Sequence, residues 1–260
     1  MMRWDALGET RVSFGGAIGH GLEDASAALD ACTLALVVHD FHRAAVLGTA
    51  TLLRTRDRLV LLTAAHLFDG GARLGNILAP LASGHGFVSL AGARVNRCES
   101  ADIATIELGE VAGADKLLHG RVPAAVPHSA SRRRRRRHAV HDGVRVLVSG
   151  YPAALSRFDQ GWLGARRFTM VTCPLDPPYG ALHRSDRLFD YGRIACRADG
   201  VPIHTPELQG MSGAGIWNLE RSAGAGGARL RLEAVQSSYV HGRFVRGHHV
   251  GVVDSLLRPR

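Results

Sequence analysis

Short runs of alternating apolar and polar residues, cut by turn residues, recur along most of the chain and leave little room for anything but β-structure. TLALVV (33–38), AAVLGTATLLR (44–54) and RLVLLTA (58–64) come first, followed by FVSLAGARV (87–95) and IATIEL (103–108). After a gap come VRVLVSG (144–150), RFTMVTC (167–173), AGIWNL (214–219), RLRLEAV (229–235) and FVRGHHVGVV (244–253). A period of two sends successive side chains to opposite faces of a strand. Many such runs without long helices between them predict a sandwich or barrel. Two segments carry weaker helical spacing. One is residues 23–31, and the other is VVDSLLR near the end, with Asp254 at the start of a closing turn or short helix.

At 260 residues and 46% hydrophobic, the chain buries a real core, which excludes general disorder. No apolar run approaches the roughly 20 residues that a membrane-spanning helix needs. The opening MMRWDALGETRVSFGG places Asp5 and Glu9 where a secretory leader needs an apolar stretch, so a cytoplasmic, reducing compartment is expected. Cys32, Cys98, Cys173 and Cys196 form no CxxC pair, which predicts free, mostly buried thiols and no thiolate zinc site. HDFH (39–42) and the pair His248 and His249 lack metal-ligand spacing and read as structural or surface histidines. Trp4, Trp162 and Trp217 read as packing residues.

The net charge is +9, and six arginines in a row, Arg132 to Arg137, match six of those charges. They sit in a Pro- and Ser-containing stretch (122–143) that ends in the turn dipeptide Asp142-Gly143, so this stretch predicts a linker. Mutual repulsion keeps such a run solvated. Its sharper reading is electrostatic tethering to an acidic partner or nucleic acid. No aromatic residues flank it for base stacking, and no amphipathic face accompanies it for a membrane. The linker divides one domain (1–260) into an N-terminal β unit (30–121) and a C-terminal one (144–260).

Three segments carry residue types suited to nucleophilic acyl transfer. They are LLTAAHLF with His66 after an apolar strand, ADIATIEL with Asp102 before one, and QGMSGAGIW with Ser212 between glycines. A serine hydroxyl attacks at neutral pH only if a base takes its proton, and histidine titrates in the right range. A carboxylate fixes the imidazole tautomer and stabilises the imidazolium. Glycines around the serine permit a tight turn that aims backbone N–H groups at a developing oxyanion.

The order His, Asp, Ser, in TAAH, DIA and GMSG, with Gly48-Thr49-Ala50 as lead-in, resembles the trypsin-like (chymotrypsin-fold) serine peptidases over roughly residues 34–253. The resemblance implies an all-β fold of two six-stranded antiparallel barrels with a short C-terminal helix and the site in the cleft between them. It implies His66 as general base, Asp102 as its partner, Ser212 as nucleophile, and the N–H groups of Gly210 and Ser212 as oxyanion hole. Protein or peptide would be the substrate, with no cofactor or metal. The alternative is a catalytically silent binding module on the same fold.

The sequence departs from the digestive members in three places. Met211 replaces the aspartate that pairs with a newly cut N-terminus, so activity without amino-terminal trimming is expected. Some members hold the oxyanion loop misformed until a partner binds, and regulation by a partner belongs to the same expectation. Leu67 and Leu208 stand where secreted members have bridging cysteines, which points to a bacterial-type intracellular member. By simple counting the floor of the specificity pocket is Pro206, with Glu207 next to it. Val235, Gln236, Ser237 and Ser238 would form the wall, continuing to Tyr239, and His248 and His249 near the pocket would favour an acidic side chain.

Overall fold

Residues 2–13, 22–39, 43–55, 58–69, 73–125, 145–175, 186–197, 201–221 and 228–257 are described by a computed structural model of the chain. The arginine run, most of the expected linker and residues 40–42 of HDFH lie outside the described residues. In chain order the first elements are β1 (Arg3–Ser13), α1 (Leu22–Cys32), β2 (Thr33–His39), β3 (Ala44–Arg54), β4 (Leu59–Thr63) and β5 (Ile77–Pro80). Then come β6 (Phe87–Ser89), β7 (Arg94–Cys98), β8 (Ile103–Glu107) and β9 (Ala124–Ala125). The second half holds β10 (Arg145–Gly150), β11 (Ser156–Asp159), β12 (Trp162–Thr172), β13 (Pro174–Leu175), β14 (Asp186–Asp190) and β15 (Ile194–Arg197). It ends with β16 (Pro202–His204), β17 (Gly215–Arg221), β18 (Ala228–Val240), β19 (Phe244–His249) and α2 (Val253–Leu256).

The fold is all-β. One sheet of eight strands runs β6-β5-β2-β3-β4-β8-β7, with β9 beside β3. The other has eleven, in the order β13-β14-β19-β18-β17-β10-β12-β1-β15-β16, with β11 on β12. Both exceed the six strands per unit that the resemblance implies, and β1–β12 and β3–β9 pair in parallel. Among the described residues no helix is long and apolar enough to cross a membrane.

Several strands are apolar on both faces because both faces are covered. In the eight-stranded sheet Leu34, Leu36, Leu52, Leu61 and Ile106 pack together on one side. Leu53, Val60 and Leu62 turn the other way, to meet Leu147, Trp217, Leu232 and Val235 of the eleven-stranded sheet. Leu29 of α1 and Val253 of α2 join that shared layer. Val146, Val148, Phe168, Met170 and Ile216 form a third cluster within the larger sheet. Each fully buried side chain of this size stabilises the fold by about 1.5–3 kcal/mol.

The N-terminal segment is a strand, which the hydrophobic pattern does not announce. β1 lies parallel to β12 and breaks register between Ala6 and Glu9, around Gly8 with its φ of +83°. Buried Arg167 on β12 holds it there. The guanidinium lies 3.1 Å from Glu9 and 3.4 Å from Asp30 of α1, and donates to Ser26 and Ser149.

Four expectations need correction. The run 87–95 is two strands, because a turn through Ala91 and Gly92 (φ +81°) interrupts it. The run 244–253 stops as a strand at His249, whose Nδ1 accepts the Gly251 N–H at 2.9 Å and starts the helical turn into α2. The thiols are free, but only Cys32 is buried, and Cys173 and Cys196 are exposed. Trp162 does not pack inside: it is 41% exposed, with the Arg3 guanidinium 4.9 Å above its ring.

Candidate active site

β4 and β8 are antiparallel neighbours with Thr63 opposite Ala104, and the same register, carried two residues further, sets Ala65 beside Asp102. The Ala65 N–H donates to the Asp102 carbonyl at 3.2 Å. β4 then gives way to a 3₁₀ turn, Ala65–Phe68, which carries His66. Asp102 follows its own 3₁₀ turn (Glu99–Ala101) and takes the left-handed conformation, φ +45°. Aspartate tolerates that region better than most residues. The backbone twist turns its carboxylate back to the histidine. Oδ2 lies 2.8 Å from His66 Nδ1, and Oδ1 accepts the His66 backbone N–H at 2.9 Å.

This two-point grip leaves Nε2 as the ring nitrogen free for other work. The hydrogen bond to Asp102 raises the His66 pKa above its ordinary 6.5. Burial opposes the shift, and the charges of Asp102 and Asp69 add to it.

Ser212 comes from the eleven-stranded sheet but is tied to the smaller one. Its carbonyl accepts the Thr49 N–H of β3 at 2.8 Å. Thr49 does more: its hydroxyl donates to the Gly210 carbonyl (3.1 Å) and accepts the Tyr151 N–H (2.9 Å), and its carbonyl accepts the Thr63 hydroxyl (2.7 Å). Gly48 is sandwiched between the two loops. A β-carbon there would overlap the Leu67 side chain and come 2.9 Å from the Ser212 carbonyl oxygen. Gly213 (φ +92°) has no room for one either, because it would strike the Thr49 carbonyl, the Thr63 hydroxyl and the Ala64 N–H. The residue after Ser212 thus touches the segment that leads into His66.

The turn before the serine is built from Met211 N–H to Leu208 carbonyl (2.9 Å) and Ala214 N–H to Met211 carbonyl (2.7 Å). Leu208 and Met211 are buried in the core of the larger sheet, so this turn is anchored by apolar packing. Gly210 has φ +90°. Among the described residues neither the Gly210 N–H nor the Ser212 N–H finds a hydrogen-bond partner, although Gly210 is buried. Two unpaired N–H groups flanking a serine are donors available to an anion.

The expected pocket residues are placed unevenly. The Pro206 carbonyl accepts the Tyr191 hydroxyl, and Glu207 accepts the Tyr239 hydroxyl at 2.6 Å. Val235 turns away, into the shared layer with Trp217. Gln236 is buried beside the serine loop, Ser237 donates to the Arg246 carbonyl (3.5 Å), and Ser238 is exposed. His248 Nδ1 lies 2.9 Å from Asp186, and His249 lies 3.3 Å from Glu233.

The positioning role of Thr49 and Thr63 escaped the sequence reading, which noted both only as parts of motifs. Their signal is a threonine after a glycine in the middle of one strand and another at the end of its neighbour, just before the histidine turn. No protein-family model matches the chain, and no curated protein matches it either.

Proposed function

We propose that the chain is a serine endopeptidase of trypsin-like architecture, its two curled sheets closing as barrels with the site in the cleft between them. The observation that carries this reading is the double hydrogen bond from His66 to Asp102 on the smaller sheet, set beside a serine turn that the larger sheet delivers to Thr49.

In this reading Ser212 Oγ attacks the scissile carbonyl while His66 Nε2 takes its proton, and the imidazolium is stabilised by Asp102. The tetrahedral oxyanion is held by the N–H groups of Gly210 and Ser212. His66 then gives the proton to the leaving amine, and water, activated by the same imidazole, releases the acyl group from Ser212. Met211, buried in apolar packing next to the nucleophile, supports activity without an amino-terminal ion pair. The substrate is protein or peptide.

The test is covalent labelling of the full chain with a fluorophosphonate probe, followed by peptide hydrolysis. Labelling that disappears in Ser212→Ala and is strongly reduced in His66→Ala is expected. A wild-type chain that takes no label and cuts no peptide overturns the reading in favour of a silent binding module.

A further inference from the structure

A peptidase acting through Ser212 selects the side chain preceding the bond it cuts with groups next to the serine turn. Gln236 occupies that place. Its N–H donates to the Ala214 carbonyl and its carbonyl accepts the Gly213 N–H, both at 2.8 Å. Its backbone is therefore clamped to the two residues that follow Ser212.

The Gln236 side chain is unusual for its burial. The residue is 1% exposed, yet neither Oε1 nor Nε2 has a hydrogen-bond partner. Strand alternation turns it opposite to Val235 and onto the face of Ala234, where Leu208, Met211 and Ala214 pack. Its cross-strand neighbour is Gly247, which has no side chain to offer, and a β-carbon there would overlap Ile216. A buried amide with donor and acceptor both unmatched calls for an explanation, and an incoming group that both donates and accepts is one that satisfies the two atoms together.

The charged groups nearby are already engaged. The Glu207 carboxylate accepts the Tyr239 hydroxyl and lies 3.5 Å from His241 Nδ1. His248 is held by Asp186. A basic substrate side chain would have to displace the first pair, and an acidic one the second.

We infer that Gln236 makes the site selective for a carboxamide side chain, asparagine or glutamine, at the position that donates the scissile carbonyl. This rests on the peptidase reading. A carboxamide presents a carbonyl to Nε2–H and an N–H to Oε1, so both unmatched atoms are satisfied at once. Leucine or methionine leaves both unpaired, and a carboxylate sets its lone pairs against Oε1. A site that hydrogen-bonds its substrate rejects an analogue lacking those groups far more strongly than an apolar pocket rejects a size change.

The experiment uses a set of fluorogenic peptides differing only at that position (Gln, Asn, Glu, Leu, Met, Lys), with rates expressed per site labelled by fluorophosphonate. The wild-type chain should show kcat/KM for Gln or Asn at least about 100-fold above Leu and Met. Gln236→Met should erase or invert that preference while still taking the label. A labelled wild-type chain that cuts Leu, Lys or Glu substrates as well as Gln and Asn overturns the inference and leaves the peptidase reading intact. A labelled Gln236→Met that keeps the full carboxamide preference overturns it too. Absence of both labelling and cleavage in wild type defeats the peptidase reading itself. If Gln236→Met does not fold, the wild-type profile decides alone.

Discussion

The Thr49 N–H and the Ser212 carbonyl meet at 2.8 Å and join the two sheets within the serine turn. Since the Thr49 hydroxyl also holds the Gly210 carbonyl and the Tyr151 N–H, one side chain orients the peptide whose neighbouring N–H groups are unpaired. Thr49→Val should leave those two buried backbone groups unsatisfied and cost about 1–3 kcal/mol in urea unfolding. Its kcat should fall more than its KM rises, and Thr49→Ser should restore most of both.

In the proposed peptidase His66 sets the acid limb of activity. Its raised pKa means that kcat/KM should climb with pH through a midpoint above 6.5. Asp102→Asn should move that midpoint down and lower kcat about 10⁴-fold, the loss known for the triad carboxylate, with folding retained by circular dichroism. The stability effect has the opposite sense. A group with a raised folded pKa contributes below its unfolded value and loses that contribution as pH rises through the folded one. His66 therefore loses its proton over the same interval in which its ion pair stops stabilising the fold.

Gly213→Ala places a methyl against the Thr49 carbonyl and the Thr63 hydroxyl at a φ that alanine resists. A loss of about 3 kcal/mol or more is expected, together with loss of labelling at Ser212. A variant with wild-type melting and wild-type labelling would contradict the described packing.

Arg167→Met should destabilise the fold by about 1–3 kcal/mol in denaturant, because half-buried Glu9 loses the buried guanidinium and keeps only Arg11 and the Ser26 hydroxyl. Burial alone would raise the Glu9 pKa, but the Arg167 charge and hydrogen bonds from Ser26, Thr169 and Arg11 together hold it below the ordinary 4.5. Its contribution is thus present above that value and disappears as pH falls through the lower folded pKa. Acid unfolding of the wild type should shift to higher pH in Arg167→Met.

Alkylation at neutral pH should modify Cys173 and Cys196, which are exposed, and spare Cys32. Burial pushes the Cys32 thiol up to about 12, so almost no thiolate is available there. Mass spectrometry of iodoacetamide-treated protein before and after denaturation checks this.

Strands whose alternation serves a core were readable from residues alone. The run 44–54 coincides with β3, and the helical spacing at 23–31 lies inside α1. β1 was not readable, because its charged residues face a buried arginine and Gly8 breaks its period. The pair His66 and Asp102 was legible from motif order, and the register of β4 with β8 supplies its physical cause. Counting along the chain groups Val235 with Gln236, but neighbouring residues of a strand face opposite ways, and Val235 lies in the shared layer while Gln236 is on the side of Ala234.

β15 reaches the larger sheet through β1, and its remaining partner is β16. From β16 the chain passes directly into Thr205, Pro206 and the serine turn. Peeling the amino-proximal strand off β12 would therefore set adrift the hairpin that leads into the serine turn. A lesion at Glu9, remote in sequence from Ser212, would loosen the segment that leads into the serine turn.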